Sequence, residues 1–101
     1  MKFARVTGTV VSTQKDVNLT GFKLLLVRQV KLEKGLPPTS SFSVVADGVG
    51  AGPGEIVFVV AGSSARLTSS TKNMPLDSLI IGIVDSLELE GEVIYRKTED
   101  Q

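Results

Sequence analysis

The chain has no cysteine, no histidine, no tryptophan and a single tyrosine in 101 residues. Without cysteine, disulfide stapling, thiolate nucleophiles and zinc–thiolate sites are excluded, which accords with a cytosolic protein. Without histidine, the usual general base near neutral pH and the commonest metal ligand are missing. A catalyst built from this chain would have to rely on carboxylates, lysine or tyrosine. Charge of one sign is also lacking: 11 basic and 11 acidic residues cancel, so electrostatics offers no attraction to nucleic acid or anionic membranes. Long apolar runs are absent too. No stretch approaches the roughly 20 residues that span a bilayer, and Arg5 and Thr7 interrupt the N-terminal MKFARVTGTVV before it forms a signal-peptide core. The expectation is a soluble protein that stays where it is made, with no cofactor, no metal, no membrane and no nucleic-acid partner.

What remains is a small, apolar, strand-rich chain. Its length predicts one domain over 1–101. A domain of this size buries only about 60–68% of its unfolded surface, so its core is thin. Yet 42% of the residues are hydrophobic, which points to apolar surface covered by another subunit. The apolar residues are β-branched or leucine, in short runs bounded by turn residues, the pattern of an all-β domain. Strands are expected at Phe3–Ser12, with Gly8 as a bend or bulge, and at Lys23–Val30, whose leucine-rich start predicts burial on both faces. Residues 31–41 read as a loop, because Pro37 and Pro38 cannot donate to a ladder. Further strands are expected at Phe42–Ala46, Ile56–Ala61 and Leu79–Leu87, the last with a bend at Gly82. Ser63 or Ser64 would cap a single helical turn over 62–66. A turn at Glu90–Gly91 leads into a short strand, Glu92–Tyr95, before a charged, frayed tail over 96–101. Five main strands with glycines at bends predict a small closed barrel, the OB-like architecture being one of that size.

Each chemically suggestive motif has a plainer structural reading. The run Gly48 to Gly54 has glycine at every second position and leads through Pro53-Gly54-Glu55 into a strand. A dinucleotide fingerprint would open a helix, and a Walker loop would end in Lys and a hydroxyl; a tight structural connection fits better. Ser63 and Ser64 lack both the nucleophile elbow and a histidine, and nothing brings Lys15 or Lys72 to them as a base. Asp47, Asp77 and Asp85 sit near strand ends, where Asx turns and caps account for such residues. Arg66 suits a carboxylate or carbonyl across a subunit boundary, or is an ordinary surface arginine. An OB-like barrel also admits a single-strand nucleic-acid or small-ligand binding module. Such binders join a basic groove to stacked aromatics, whereas Phe3, Phe42 and Phe58 lie in apolar strands where core packing is simpler.

Three segments in order, TGTVVSTQK (7–15), DGVGAGPGE (47–55) and GSSAR (62–66), followed by PLDSLIIGIVD (75–85), resemble the bacterial microcompartment vertex proteins of the EutN/CcmL family. The resemblance runs from Met1 to about Leu87, leaving 88–101 as a C-terminal extension. It implies a five-stranded barrel that assembles into a homopentamer, closing the corners of a shell tiled by hexameric proteins, with no catalysis. It places Gly62, Ser63, Ser64, Ala65 and Arg66 near the subunit boundary around the five-fold axis. Thr13, Gln14 and Lys15, with Gly50, Gly52 and Gly54, fall at strand-turn positions that would shape contacts between neighbours. The 31–41 segment is longer than the family pattern, and EGEVIYRK after Leu89 resembles ethanolamine-type members, implying a metabolosome rather than a carboxysome.

Overall fold

A computed structural model describes residues 2–11, 23–61 and 78–99 of the chain. Five strands close a barrel: β1 (Lys2–Val10), β2 (Lys23–Val30), β3 (Pro38–Asp47), β4 (Ile56–Ala61) and β5 (Ser78–Ile83). Their order around the barrel is β1-β2-β3-β5-β4, with β4 returning to β1. Every pairing is antiparallel except β3 with β5, which run parallel through Ala46↔Leu79 and Asp47↔Ile80. A separate hairpin follows, β6 (Ser86–Leu89) and β7 (Glu92–Arg96), ending in a 3-10 turn at Lys97–Glu99.

The alternation within the strands decides which face is core. Ala4 and Val6 of β1, Leu25 and Val27 of β2, Val45 of β3, Val57 and Val59 of β4 and Ile80 of β5 all point inward. Full burial of one such aliphatic side chain contributes about 1.5–3 kcal/mol, so this layer is the main source of stability. Closing five strands requires sharp local twist, which bulges supply. In β1, Thr7 is the extra residue between Val6↔Val27 and Gly8↔Leu26, as the glycine led one to expect. In β5, Ile81 is extra between the Val59↔Ile80 and Phe58↔Gly82 pairs.

A second apolar layer forms against the hairpin. Val30, Leu36, Ile56, Val84, Ile94 and Tyr95 are buried together, with Phe3, Phe58 and Leu87 packed at their edge. Phe3 and Phe58 are cross-strand partners whose ring centroids lie 4.5 Å apart in a tilted arrangement, a favourable geometry for aromatic pairs.

The structure corrects several expectations. β3 begins at Pro38, inside the expected 31–41 loop, because proline is tolerated at the first residue of a strand where no ladder N–H is needed. The same segment buries Leu36 in the second layer despite its positive φ of 46°. β2 is buried on one face only: Leu24 and Leu26 remain partly exposed, whereas Leu25 and Val27 are buried. The expected Leu79–Leu87 strand breaks after Ile83, where Val84 N–H makes a last bond to the Ile56 carbonyl and the chain turns into the hairpin. Phe42 is not core but 51% exposed. The tail is not frayed through 97, since the Lys97 N–H donates to the Asp85 carbonyl at 2.8 Å. Glu90 and Gly91, with φ of 51° and 83°, form the two-residue turn of the β6–β7 hairpin.

Candidate assembly surface

The 47–55 loop joins β3 to β4 and is built around two carboxylates. Asp47 is buried at the end of β3. Its Oδ1 accepts the N–H groups of Val49 (2.9 Å) and Gly50 (3.1 Å), and its Oδ2 accepts that of Ala51 (2.8 Å). Glu55, at the other end, accepts the Gly52 N–H through Oε1. The remaining donors are also used: Gly54 N–H bonds the Val6 carbonyl and Glu55 N–H the Gly52 carbonyl. Pro53 has no N–H. The amides of 49–52, 54 and 55 are therefore all committed within the chain, and the loop's own aspartate sits where a phosphate would have to go.

The glycines have distinct reasons to be there. Gly50 and Gly54 hold φ of 86° and 81°, conformations that cost other residues about 1–2 kcal/mol. Gly52 has no such strain; a Cβ there would come within 3.3 Å of the Glu55 carboxylate. Ala51 plugs the barrel core. Outside it, Thr7, Thr9, Lys23, Gly52 and Pro53 border an open cleft of about 350 Å³.

Glu55 also reaches the C-terminal turn. Its Oε2 pairs with the Lys97 ammonium, while Arg5 donates to the Gly54 carbonyl at 2.7 Å. The Lys97 hydrogen bond, seconded by the Gly52 N–H, holds the Glu55 carboxyl below its usual range. Glu55 in return raises Lys97 above the ordinary lysine value.

The outer face of β2 and β3 carries Leu24, Leu26 and Arg28 opposite Ala46, Val44 and Phe42. Phe42 and Val44 are each 51% exposed, and Arg28 lies 4.9 Å over the Phe42 ring. In OB barrels this is the face that reads single strands, yet here aliphatics dominate it and Arg28 lies over one face of its one aromatic ring. Val49 in the loop and Ile81 in β5 are also exposed, at 45% and 44%.

Of the residues expected at contacts, Gly50, Gly52 and Gly54 come together in this loop. Thr13, Gln14, Lys15 and the block Gly62, Ser63, Ser64, Ala65 and Arg66 lie outside the described residues. Sequence reasoning placed Asp47 correctly as a turn-former but missed the Glu55–Lys97 pair. No local pattern links residues 42 positions apart.

The comparisons with known proteins agree with this geometry. Residues 1–85 match the family described as ethanolamine utilisation protein EutN/carboxysome. The microcompartment shell vertex protein PduN of Salmonella typhimurium is 54% identical over 89 residues, covering 86% of this chain and 98% of that protein. The solved structure of CcmL from Gloeobacter violaceus, a carboxysome shell vertex protein, has a TM-score of 0.88 at 38% identity, covering 97% of this chain and 99% of that one. The pentameric shell protein GrpN of Rhodospirillum rubrum has a TM-score of 0.74 at 47% identity, over 88% of this chain and 99% of that one. On the strength of a match across most of its length and of relatives this similar, the chain belongs to the EutN/CcmL family.

Proposed function

We propose that this protein is a structural shell component: a homopentamer at the five-fold corners of a polyhedral bacterial microcompartment in the cytoplasm. The carrying observation is its likeness to GrpN, a pentameric shell protein matched over nearly its whole length. A sheet of hexagonal tiles stays flat, and five-fold units let it curve shut. Hexameric facet proteins are the neighbours such a pentamer would meet. Its role is geometric, with no catalysis, consistent with a glycine loop whose amides are already satisfied by Asp47 and Glu55.

A cyclic pentamer uses a heterologous contact, in which two different patches of the same chain meet and the ring closes after five copies. The barrel offers two such patches, Phe42–Val44 on β3 and Val49–Ile81 beside the loop. The Gly62–Arg66 block belongs near the five-fold axis, where small residues admit close approach. Thr13–Lys15 and the glycines at 50, 52 and 54 shape the contacts between neighbours. Residues 1–101 form one domain, with 88–101 as an extension of it. Identity to PduN and GrpN, 54% and 48%, exceeds the 44%, 42%, 39% and 37% to the CcmL relatives, which favours a metabolosome shell, while EutN, at 40%, falls among the CcmL values. The extension does not bear on that choice, because CcmL is matched over 98% of this chain.

Co-expression with a hexameric shell protein tests the role. Closed polyhedra are expected with this protein present, and open sheets or tubes without it. Closed particles in its absence would refute a vertex role.

A further inference from the structure

The family match ends at Asp85, one residue before β6. The hairpin and its closing turn lie beyond that match but within the span shared with CcmL and EutN, and an apolar contact and a backbone bond tie them to the rest of the chain, with one more bond closing the hairpin's base. Ile94 and Tyr95 are buried in the second apolar layer with Val30, Leu36 and Ile56. The Gly35 N–H donates to the Ile94 carbonyl at 3.2 Å, and the Lys97 N–H to the Asp85 carbonyl at 2.8 Å. Beyond these anchors, Lys97 extends to Glu55.

Glu55 divides its two oxygens between different parts of the molecule. Oε1 holds the Gly52 N–H, and Oε2 holds Lys97. Rotating this carboxylate away from the loop breaks a contact at each oxygen. The amides of the loop are thus secured differently: Asp47, on the barrel, fixes those of 49–51, and Gly54 and Glu55 bond directly to Val6 of β1, whereas the Gly52 amide is held by a side chain steadied from the C-terminal turn. Gly52 and Pro53 also form one wall of the 350 Å³ cleft beside β1. A Cβ on Gly52 would crowd the Glu55 carboxylate at 3.3 Å, so the glycine leaves room for it.

From these contacts we propose that the C-terminal hairpin is a clamp on the 47–55 loop, with Lys97 as its positioning residue, setting the wall of a cleft that the next subunit of the ring meets. The second half of this statement rests on the ring proposed above; the first does not. The hairpin thereby tunes a surface that the barrel provides.

The test uses the full chain with Lys97→Met, which keeps the aliphatic stem without the charge, and Lys97→Arg, which keeps the charge. Amide hydrogen exchange is read residue by residue, and ring dissociation is followed by native mass spectrometry on dilution. An exposed ion pair of this kind predicts about a two- to five-fold faster exchange at Gly52 in Lys97→Met. The amides of 49–51 should stay at the wild-type rate, and Lys97→Arg should restore Gly52. The ring of Lys97→Met should dissociate at a correspondingly higher protein concentration. Unchanged exchange at Gly52, or an equal rise at 49–52 and throughout the barrel, would overturn the clamp. A normal clamp response with no change in ring dissociation would overturn only its link to the neighbour. A wild-type protein that forms no ring would refute the ring reading, while the exchange arm would still decide the clamp.

Discussion

Asp47 occupies, within the chain, the place that a bound anion takes in a phosphate loop. Three backbone N–H groups converge on its buried carboxylate. Replacing Asp47 by Ala strands those donors and should lower the unfolding free energy by about 2–3 kcal/mol. Asp47→Asn, which keeps one acceptor oxygen, should lose less. Urea denaturation monitored by far-UV circular dichroism measures both, and equal stability of the Ala variant and wild type would refute the role. Gly54→Ala should cost about 1–2 kcal/mol through its positive φ alone, since a Cβ there meets nothing. The aspartate and the glycines are legible in sequence because turn chemistry is local. Phe42 is not: a phenylalanine in an apolar strand reads as core, and its exposure follows from the side of the barrel on which β3 places it.

Elements bounded by their own residues were readable to the end. The limits of Lys23–Val30 and Ile56–Ala61 match the sequence expectation, because turn residues or glycine adjoin them. Elements bounded by tertiary pairing were not. β3 extends back to Pro38 because Val30 pairs with it, and the 78–89 segment breaks where barrel pairing stops and the hairpin begins. The Glu55–Lys97 pair joins the 47–55 loop to the C-terminal turn, and its titration has a definite sign. The Glu55 carboxyl is held below its ordinary 4.5, so its contribution is present above that pH and is lost as pH falls through the lowered folded value. The Lys97 ammonium is held above its ordinary 10.5, so its contribution is present below that pH and fades as pH rises through the raised value. The pair is thus intact between about 4.5 and 10.5. Stability measured against pH should lose part of its acid-side slope in Lys97→Met. An unaltered slope would show that the two groups do not interact.

For the whole molecule, the described residues of the barrel include exposed apolar side chains at Phe42 and Val44 and again at Val49 and Ile81. Placing charges there, Phe42→Asp with Val44→Asp, should leave the barrel folded, since both side chains lie outside the core, and should weaken the ring. Ala65→Trp, at the block expected near the five-fold axis, should act the same way. Size-exclusion chromatography with light scattering, alongside circular dichroism, separates loss of assembly from loss of fold. A ring of unchanged mass in the aspartate variant would remove the β3 face from the contact. The family is legible from three short segments, whereas the pairing of faces depends on positions spread over β2, β3, β5 and the loop.

The most direct measurement is the native mass of the full chain at micromolar concentration. A vertex protein predicts a discrete species of five chains, about 54 kDa from a subunit of 10.7 kDa. A persistent 10.7 kDa monomer, or a ring of six, would contradict it.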